Sequence, residues 1–214
     1  AMPESAIGLF PDVGASLFLG RCPKSFARLM GMTGHIVGAA DCLLLGLATA
    51  QVPSDSLAGL KKKLLQCHVD EIDTIIKQFQ CDAGNSSLAD QRQLIDRVFA
   101  DGSVESMRDR AAGLTENMPH NKLLGGIVTA FETRCPLSIK LFNRLLVETD
   151  HLTDPVAAIE LDFHLALRMT KRADFAEGIR AIVIDKDQAP QWTPNSLEAV
   201  TETMLDAVFD RSGL

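Results

Sequence analysis

The stretch that decides the fold is AMPESAIGLFPDVG, residues 1–14. Two carboxylates, Glu4 and Asp12, flank an apolar run that a glycine and a proline interrupt. The apolar run predicts a buried strand over residues 3–10, which Pro11 would end. The two carboxylates can therefore converge on one site only if the chain turns between them, and the glycine and the proline permit such a turn.

Each carboxylate also has a structural explanation. Asp12 follows a proline and precedes Val13-Gly14, which suits the N-cap of a short helix ending near Leu19. Glu4 suits a surface position at the start of a strand. Spacing alone favours these structural roles over a catalytic pair.

The composition limits which classes of protein this chain can belong to. The chain has 214 residues, of which 46% are hydrophobic and 23% are charged, so it fits one globular domain or a domain with an appendage. The net charge of −7 disfavours general binding to nucleic acid or to an anionic membrane. No apolar run is long enough to span a bilayer. The five cysteines are odd in number and lack C-x-x-C spacing, which favours reduced thiols.

Periodicity predicts a mostly helical chain with one or two short strands near its start, over residues 3–10 and 47–52. After Pro53 the helical patterns dominate, and the basic run Lys61-Lys62-Lys63 is typical of a solvated helix face. We therefore divide the chain into residues 1–53 and residues 54–214. Trp192, close to two prolines, is predicted to anchor an irregular C-terminal segment by packing.

Other catalytic chemistries find little support. Residues 14–18, GASLF, lack the last glycine of the G-x-S-x-G nucleophile motif, and the chain contains no Walker or G-x-G-x-x-G loop. The five histidines are scattered, and none pairs with another histidine or a cysteine at a recognised metal-ligand spacing. The sequence therefore predicts no metal site.

The opening segment resembles the "MPE…IGLFPDVG" active-site segment of 3-hydroxyisobutyryl-CoA hydrolases, a branch of the crotonase (enoyl-CoA hydratase/isomerase) superfamily. The resemblance extends through both ends of the chain and is loosest over residues 61–132. Further segments that resemble family motifs are Met32–Ile36, Ala39–Asp41, Gly46–Thr49, Cys135–Lys140, Asp174–Ala181 and Ile184–Trp192, with Glu160 at the position of a helix glutamate. The segment Ile184–Trp192 resembles "IDKD..P.W", which is characteristic of the hydrolase branch.

The resemblance implies a crotonase-like α/β fold, with residues 1–53 in the catalytic core and residues 54–214 as a helical region packed on it. It implies cleavage of a short branched 3-hydroxyacyl-CoA thioester. Glu4 would attack the thioester carbonyl or activate water, and Asp12 would bind the substrate hydroxyl. Coenzyme A belongs to the substrate, so no separate cofactor is expected.

In the family this segment follows a long N-terminal half, which supplies both oxyanion N–H donors and most coenzyme A contacts. The resemblance therefore implies that an N-terminal half of the same protein is the partner, and that this chain alone is inactive. It also implies a mitochondrial location, with the cytoplasm as the alternative, and it permits a homo-oligomer. Ala15 and Ser16 stand where the family commonly has glycines, which predicts a reshaped acyl pocket.

Two alternatives stay open. The first is a hydratase or isomerase of unsaturated acyl-CoA, against which the "IDKD..P.W" element and the Glu4/Asp12 pair argue. The second is a non-catalytic crotonase-fold subunit of a larger, ribosome-like assembly, the one setting in which a nucleic acid partner is expected.

Overall fold

The computed structural model describes residues 1–212, and its regular elements are helices. Thirteen α-helices are described: α1 (Ala15–Leu19), α2 (Lys24–Thr33), α3 (Ala39–Leu44), α4 (Leu57–Leu64), α5 (Ile72–Phe79), α6 (Ser87–Asp90), α7 (Arg92–Val98), α8 (Val104–Asn117), α9 (Lys122–Thr133), α10 (Pro136–Glu148), α11 (Pro155–Met169), α12 (Ala173–Ile179) and α13 (Glu202–Phe209). Short 3-10 helices lie at Glu4–Ile7, Ser54–Ser56 and Val69–Glu71, and a π-helical turn, Arg180–Ile184, continues α12.

The described chain divides into two compact units. The first contains residues 1–36 and the described residues from 93 onward, and the second contains Val37–Arg92. These limits differ from the division at residue 53. That division concerns which residues belong to a catalytic core, and it stays a prediction.

The predicted strands are wrong. Within residues 1–212 no strand is assigned, and residues 47–52 are irregular. The segment predicted as a strand over residues 3–10 forms a 3-10 turn instead, because its backbone groups bond locally. Ala6 N–H donates to Pro3 O at 2.8 Å and Leu9 N–H donates to Glu4 O at 3.1 Å, so this backbone is folded, not extended.

Helix α2 forms the centre of the first unit. Its residues Ser25–Thr33 are all buried. It packs on α9 and α10, and a Cβ added at Gly31 would overlap the ring of Phe142 on α10. The absence of a side chain at Gly31 therefore allows α2 and α10 to approach closely.

The second unit is organised around a buried carboxylate. Asp41 on α3 accepts hydrogen bonds from Gly38 N–H at 3.0 Å, from the Ser86 hydroxyl at 2.6 Å and from Leu88 N–H at 3.1 Å. These bonds hold the pKa of Asp41 below its usual value against the effect of burial. Lys61–Lys63 is exposed on α4, as predicted.

Trp192 anchors the C-terminal segment, as predicted. Its side chain is buried, and its indole N–H donates to the carbonyl oxygen of Thr133, the last residue of α9, at 2.9 Å. The segment after α12 is thereby fixed against the end of α9.

Candidate active site

Glu4 lies at the start of a 3-10 turn that two core helices hold in place. Ser5, the next residue, is fully buried, and its hydroxyl donates to Met32 O on α2 at 3.3 Å. Its carbonyl oxygen accepts the N–H of Cys135, directly before α10, at 3.0 Å. The backbone that carries Glu4 is therefore bonded to the centre of the first unit.

Helix α12 approaches the same turn so closely that neither surface has room for a Cβ. A Cβ at Gly8, where φ is +70°, would lie 2.6 Å from the carbonyl oxygen of Asp174, and a Cβ at Gly178 would overlap the backbone of Ile7. Glycine at both positions lets the two backbones touch. Gly178, within the segment Asp174–Ala181, thus has a defined role in placing the Glu4 turn.

The acidic and basic residues of the segment Asp174–Ala181 hold the C-terminal segment in place through hydrogen bonds and ion pairs. Asp174, which is buried, accepts Thr193 N–H at 2.7 Å. Arg180 donates to Glu177 at 2.8 Å and to Asp187 at 2.6 Å, and the bond from Arg180 lowers the pKa of Glu177 to about 2. These residues act as structural ties, and none of their contacts involves the Glu4 carboxylate.

Asp12 lies on a tight turn that precedes α1. Its carbonyl oxygen accepts Ala15 N–H at 3.0 Å, and the turn passes through two left-handed residues, Val13 at φ +54° and Gly14 at φ +81°. Gly14 is the N-cap of α1, and no side-chain capping bond is made there. The predicted N-cap role of Asp12 is therefore wrong, and capping α1 does not explain its carboxylate.

Burial raises the pKa of Glu4 above its ordinary value, and the negative charge of Asp12 raises it further. A hydrogen bond from the Glu4 backbone N–H acts in the opposite direction. Its Oε2 atom is buried and has no hydrogen-bond partner within residues 1–212. The fold thus brings the two sequence-predicted carboxylates within electrostatic reach of each other and leaves one Glu4 oxygen uncommitted.

A third carboxylate, Asp162 on α11, joins this cluster, and sequence reasoning missed it. Asp162 is 3% exposed and accepts Gly14 N–H at 2.6 Å. Burial and the charge of Asp12 raise its pKa to about 6, against the effect of the Gly14 bond. The sequence did carry a signal, because Asp162 interrupts the apolar face of α11 that includes Leu161 and Leu165. Glu160, which the resemblance singled out, is exposed.

Within the part of the chain that is described, no three histidine, cysteine, aspartate or glutamate side chains are grouped so as to hold a metal ion. No disulfide is assigned among the cysteines of residues 1–212. No helix there is both long and apolar enough to cross a membrane.

A family model described as enoyl-CoA hydratase/isomerase matches residues 1–209. The chain belongs to the enoyl-CoA hydratase/isomerase family. Among curated relatives of this family member, a probable 3-hydroxyisobutyryl-CoA hydrolase 2 of Arabidopsis thaliana is 36% identical over 99% of the chain. A mitochondrial 3-hydroxyisobutyryl-CoA hydrolase of Danio rerio is 32% identical over 98% of it. The resemblance to the hydrolase branch is confirmed.

Solved structures of the family confirm the crotonase-like fold. A carnitinyl-CoA dehydratase from Mycobacterium thermoresistibile superposes over the whole chain with a TM-score of 0.86 at 25% identity. An enoyl-CoA hydratase from Rhodobacter sphaeroides does so with a TM-score of 0.84 at 28% identity. The chain spans 57% of the Arabidopsis relative and 59% of each of these two structures, so a large part of each has no counterpart here.

In this family member, the carboxylate cluster is suited to chemistry at a carbonyl group. When a carboxyl group with a raised pKa lies next to a second carboxylate, one of the two groups can act as the nucleophile or base while the other acts as the acid. The unpartnered oxygen of Glu4 is the atom with which such chemistry would begin.

Proposed function

We propose that this chain carries the reacting carboxylates of an acyl-CoA thioester hydrolase acting on a short 3-hydroxyacyl-CoA, such as 3-hydroxyisobutyryl-CoA. The supporting observation is the uncommitted, buried Glu4 oxygen beside Asp12, on a turn that helices fix. Relatives named 3-hydroxyisobutyryl-CoA hydrolases match 98–100% of the chain.

In the proposed reaction, Glu4 Oε2 attacks the thioester carbonyl carbon and forms a carbon–oxygen bond. The carbon–sulfur bond then breaks, and coenzyme A leaves as a thiolate that takes up a proton. Water hydrolyses the resulting mixed anhydride and restores Glu4. In the variant of this mechanism with Glu4 as a base, the same carboxylate removes a proton from the attacking water.

Asp12 has a separate role in this proposal. It accepts a hydrogen bond from the 3-hydroxyl group of the substrate and assists proton transfer. No further cofactor is needed, because coenzyme A enters with the substrate and leaves as a product. Ala15 and Ser16, both buried in α1, would shape the acyl pocket.

The remaining requirements lie in the portion of the relatives that has no counterpart in this chain. We propose that this portion, an N-terminal half of the same protein, supplies the oxyanion N–H groups and the coenzyme A contacts. Removing one oxyanion donor costs on the order of a hundred- to a thousandfold in rate, so residues 1–214 alone should be inactive. A mitochondrial location belongs to the same proposal, since several relatives are named mitochondrial. A homo-oligomer is also part of it.

The test is release of free thiol from 3-hydroxyisobutyryl-CoA, measured with the longest natural polypeptide that contains these residues. We expect Glu4→Gln to abolish turnover while the protein stays folded, because the amide is neither a nucleophile nor a base. Glu160→Gln, at an exposed position on α11, is the matched control and should retain full activity. Full activity in Glu4→Gln would refute the assignment.

A hydratase is the second candidate, and the observation that favours it is the structural match to a dehydratase and a hydratase over the whole chain. Water addition to an unsaturated acyl-CoA consumes the double bond and releases no thiol. Loss of the enoyl absorbance without thiol release would establish this candidate in place of the hydrolase.

A further inference from the structure

The bond between Asp162 and Gly14 joins residues that are 148 positions apart in the chain. Asp162 Oδ2 accepts the Gly14 N–H at 2.6 Å, which is shorter than a usual N–H···O bond. Gly14 lies two residues after Asp12, on the turn that carries its side chain. This bond joins the turn to α11.

The turn needs such support. Val13 is β-branched and has φ +54°, a conformation that costs free energy and persists only when surrounding contacts impose it. Val13 itself is 69% exposed and therefore has little packing to hold it in place. On its N-terminal side, Asp12 O accepts the Ala15 N–H. On its C-terminal side, Gly14 O accepts the N–H groups of Leu17 and Phe18 within α1, and the Gly14 N–H bond to Asp162 is the contact that reaches another helix.

Packing alone does not explain why position 162 holds an aspartate. It is 3% exposed, and its Oδ1 atom is buried without a partner among the described residues. Its neighbours on the same helix face, Leu161 and Leu165, are apolar, and an apolar side chain would pack there at a lower desolvation cost. The raised pKa of Asp162 reflects the same cost.

We propose that Asp162 is a positioning residue, which fixes the Gly14 amide and thereby holds Asp12 where it contacts the substrate hydroxyl. This inference rests on the proposed hydrolase function. Asp162 itself forms no bond to the substrate, so its effect is exerted through geometry. A displacement of about 1 Å of a substrate-contacting group costs about a hundredfold in rate.

The experiment compares Asp162→Ala, which removes the acceptor, with Asp162→Asn, which keeps an acceptor oxygen of the same reach. Both are made in the longest natural polypeptide that contains these residues, with Glu160→Ala on the same helix as the control. We expect Asp162→Ala to lower kcat by about ten- to a hundredfold in protein that remains folded. Asp162→Asn should restore most of that loss, and Glu160→Ala should match the wild type.

Hydrogen exchange at the Gly14 amide provides a measurement that does not depend on activity. In Asp162→Ala the Gly14 amide should exchange faster, while amides in α2 and α10 keep their rates. Unchanged Gly14 exchange in this variant would overturn the inference whether or not the protein hydrolyses thioesters. If the wild type releases no thiol, the proposed function fails, and faster exchange would still support the fixing of the turn.

Two kinetic outcomes would also overturn the inference. An unchanged kcat in a folded Asp162→Ala protein would show that the turn needs no fixing for catalysis. An equal loss in Asp162→Asn and Asp162→Ala would show that the charge of Asp162 matters instead of its acceptor geometry.

Discussion

Asp162→Asn should change how the stability of the fold depends on pH. Asp162 is almost fully buried, and its pKa rises from 3.8 to about 6 in the folded protein. A carboxyl group whose folded pKa is raised contributes stability that is fully present below pH 3.8 and is lost as pH rises through about 6. Each pKa unit corresponds to about 1.4 kcal/mol, so ionising Asp162 costs the folded state about 3 kcal/mol at pH 7.

Asparagine carries no proton to lose and keeps an oxygen that accepts the Gly14 N–H. The free energy of unfolding of Asp162→Asn, relative to wild type, should therefore rise by about 2 kcal/mol between pH 4 and pH 7, since part of the change already lies below pH 4. Urea denaturation of the longest natural polypeptide that contains these residues, at four pH values between these limits, measures this difference. Since the charge of Asp12 also raises the pKa of Asp162, Asp12→Asn should reduce the rise.

Glu160→Gln is the control for this experiment, because it removes a carboxylate from the exposed face of the same helix. Its stability should follow that of the wild type across the pH range. A constant difference between wild type and Asp162→Asn from pH 4 to pH 7 would refute the reasoning. It would mean that Asp162 ionises in the folded protein as readily as in the unfolded chain.

Two glycine substitutions test the close approaches in the first unit. Gly31→Ala places a methyl group against the Phe142 ring and should lower the free energy of unfolding by about 1–3 kcal/mol in urea titrations. Gly178→Ala places one against the backbone of Ile7, so it should also reduce thiol release beyond its effect on stability, as steady-state kinetics of the folded variant would show. Gly113→Ala on α8, where nothing lies within 4 Å, is the control for both and should stabilise by about 0.5–1 kcal/mol. If either test variant behaved like this control, the corresponding close approach would be wrong.

Sequence patterns predicted the helical character of the chain and the anchoring role of Trp192. They failed at residues 3–10, because an apolar run does not reveal whether its backbone groups bond to a neighbouring strand or within the run itself. Here the bonds are local, and the run forms a 3-10 turn ending at Gly8. The assignment of Asp12 as an N-cap also failed. The helix begins three residues later, at Ala15, so Gly14 is its N-cap.

By itself, the sequence determined the family and predicted Glu4 and Asp12 as the candidate carboxylates, because both lie in one contiguous motif. Only the tertiary structure decided that Asp162 joins them. Its bond to Gly14 connects positions 148 residues apart, and no local pattern encodes which distant backbone amide a buried side chain will meet. The electrostatic state of the cluster depends on burial and on distances between segments, and these exist only once the helices have packed.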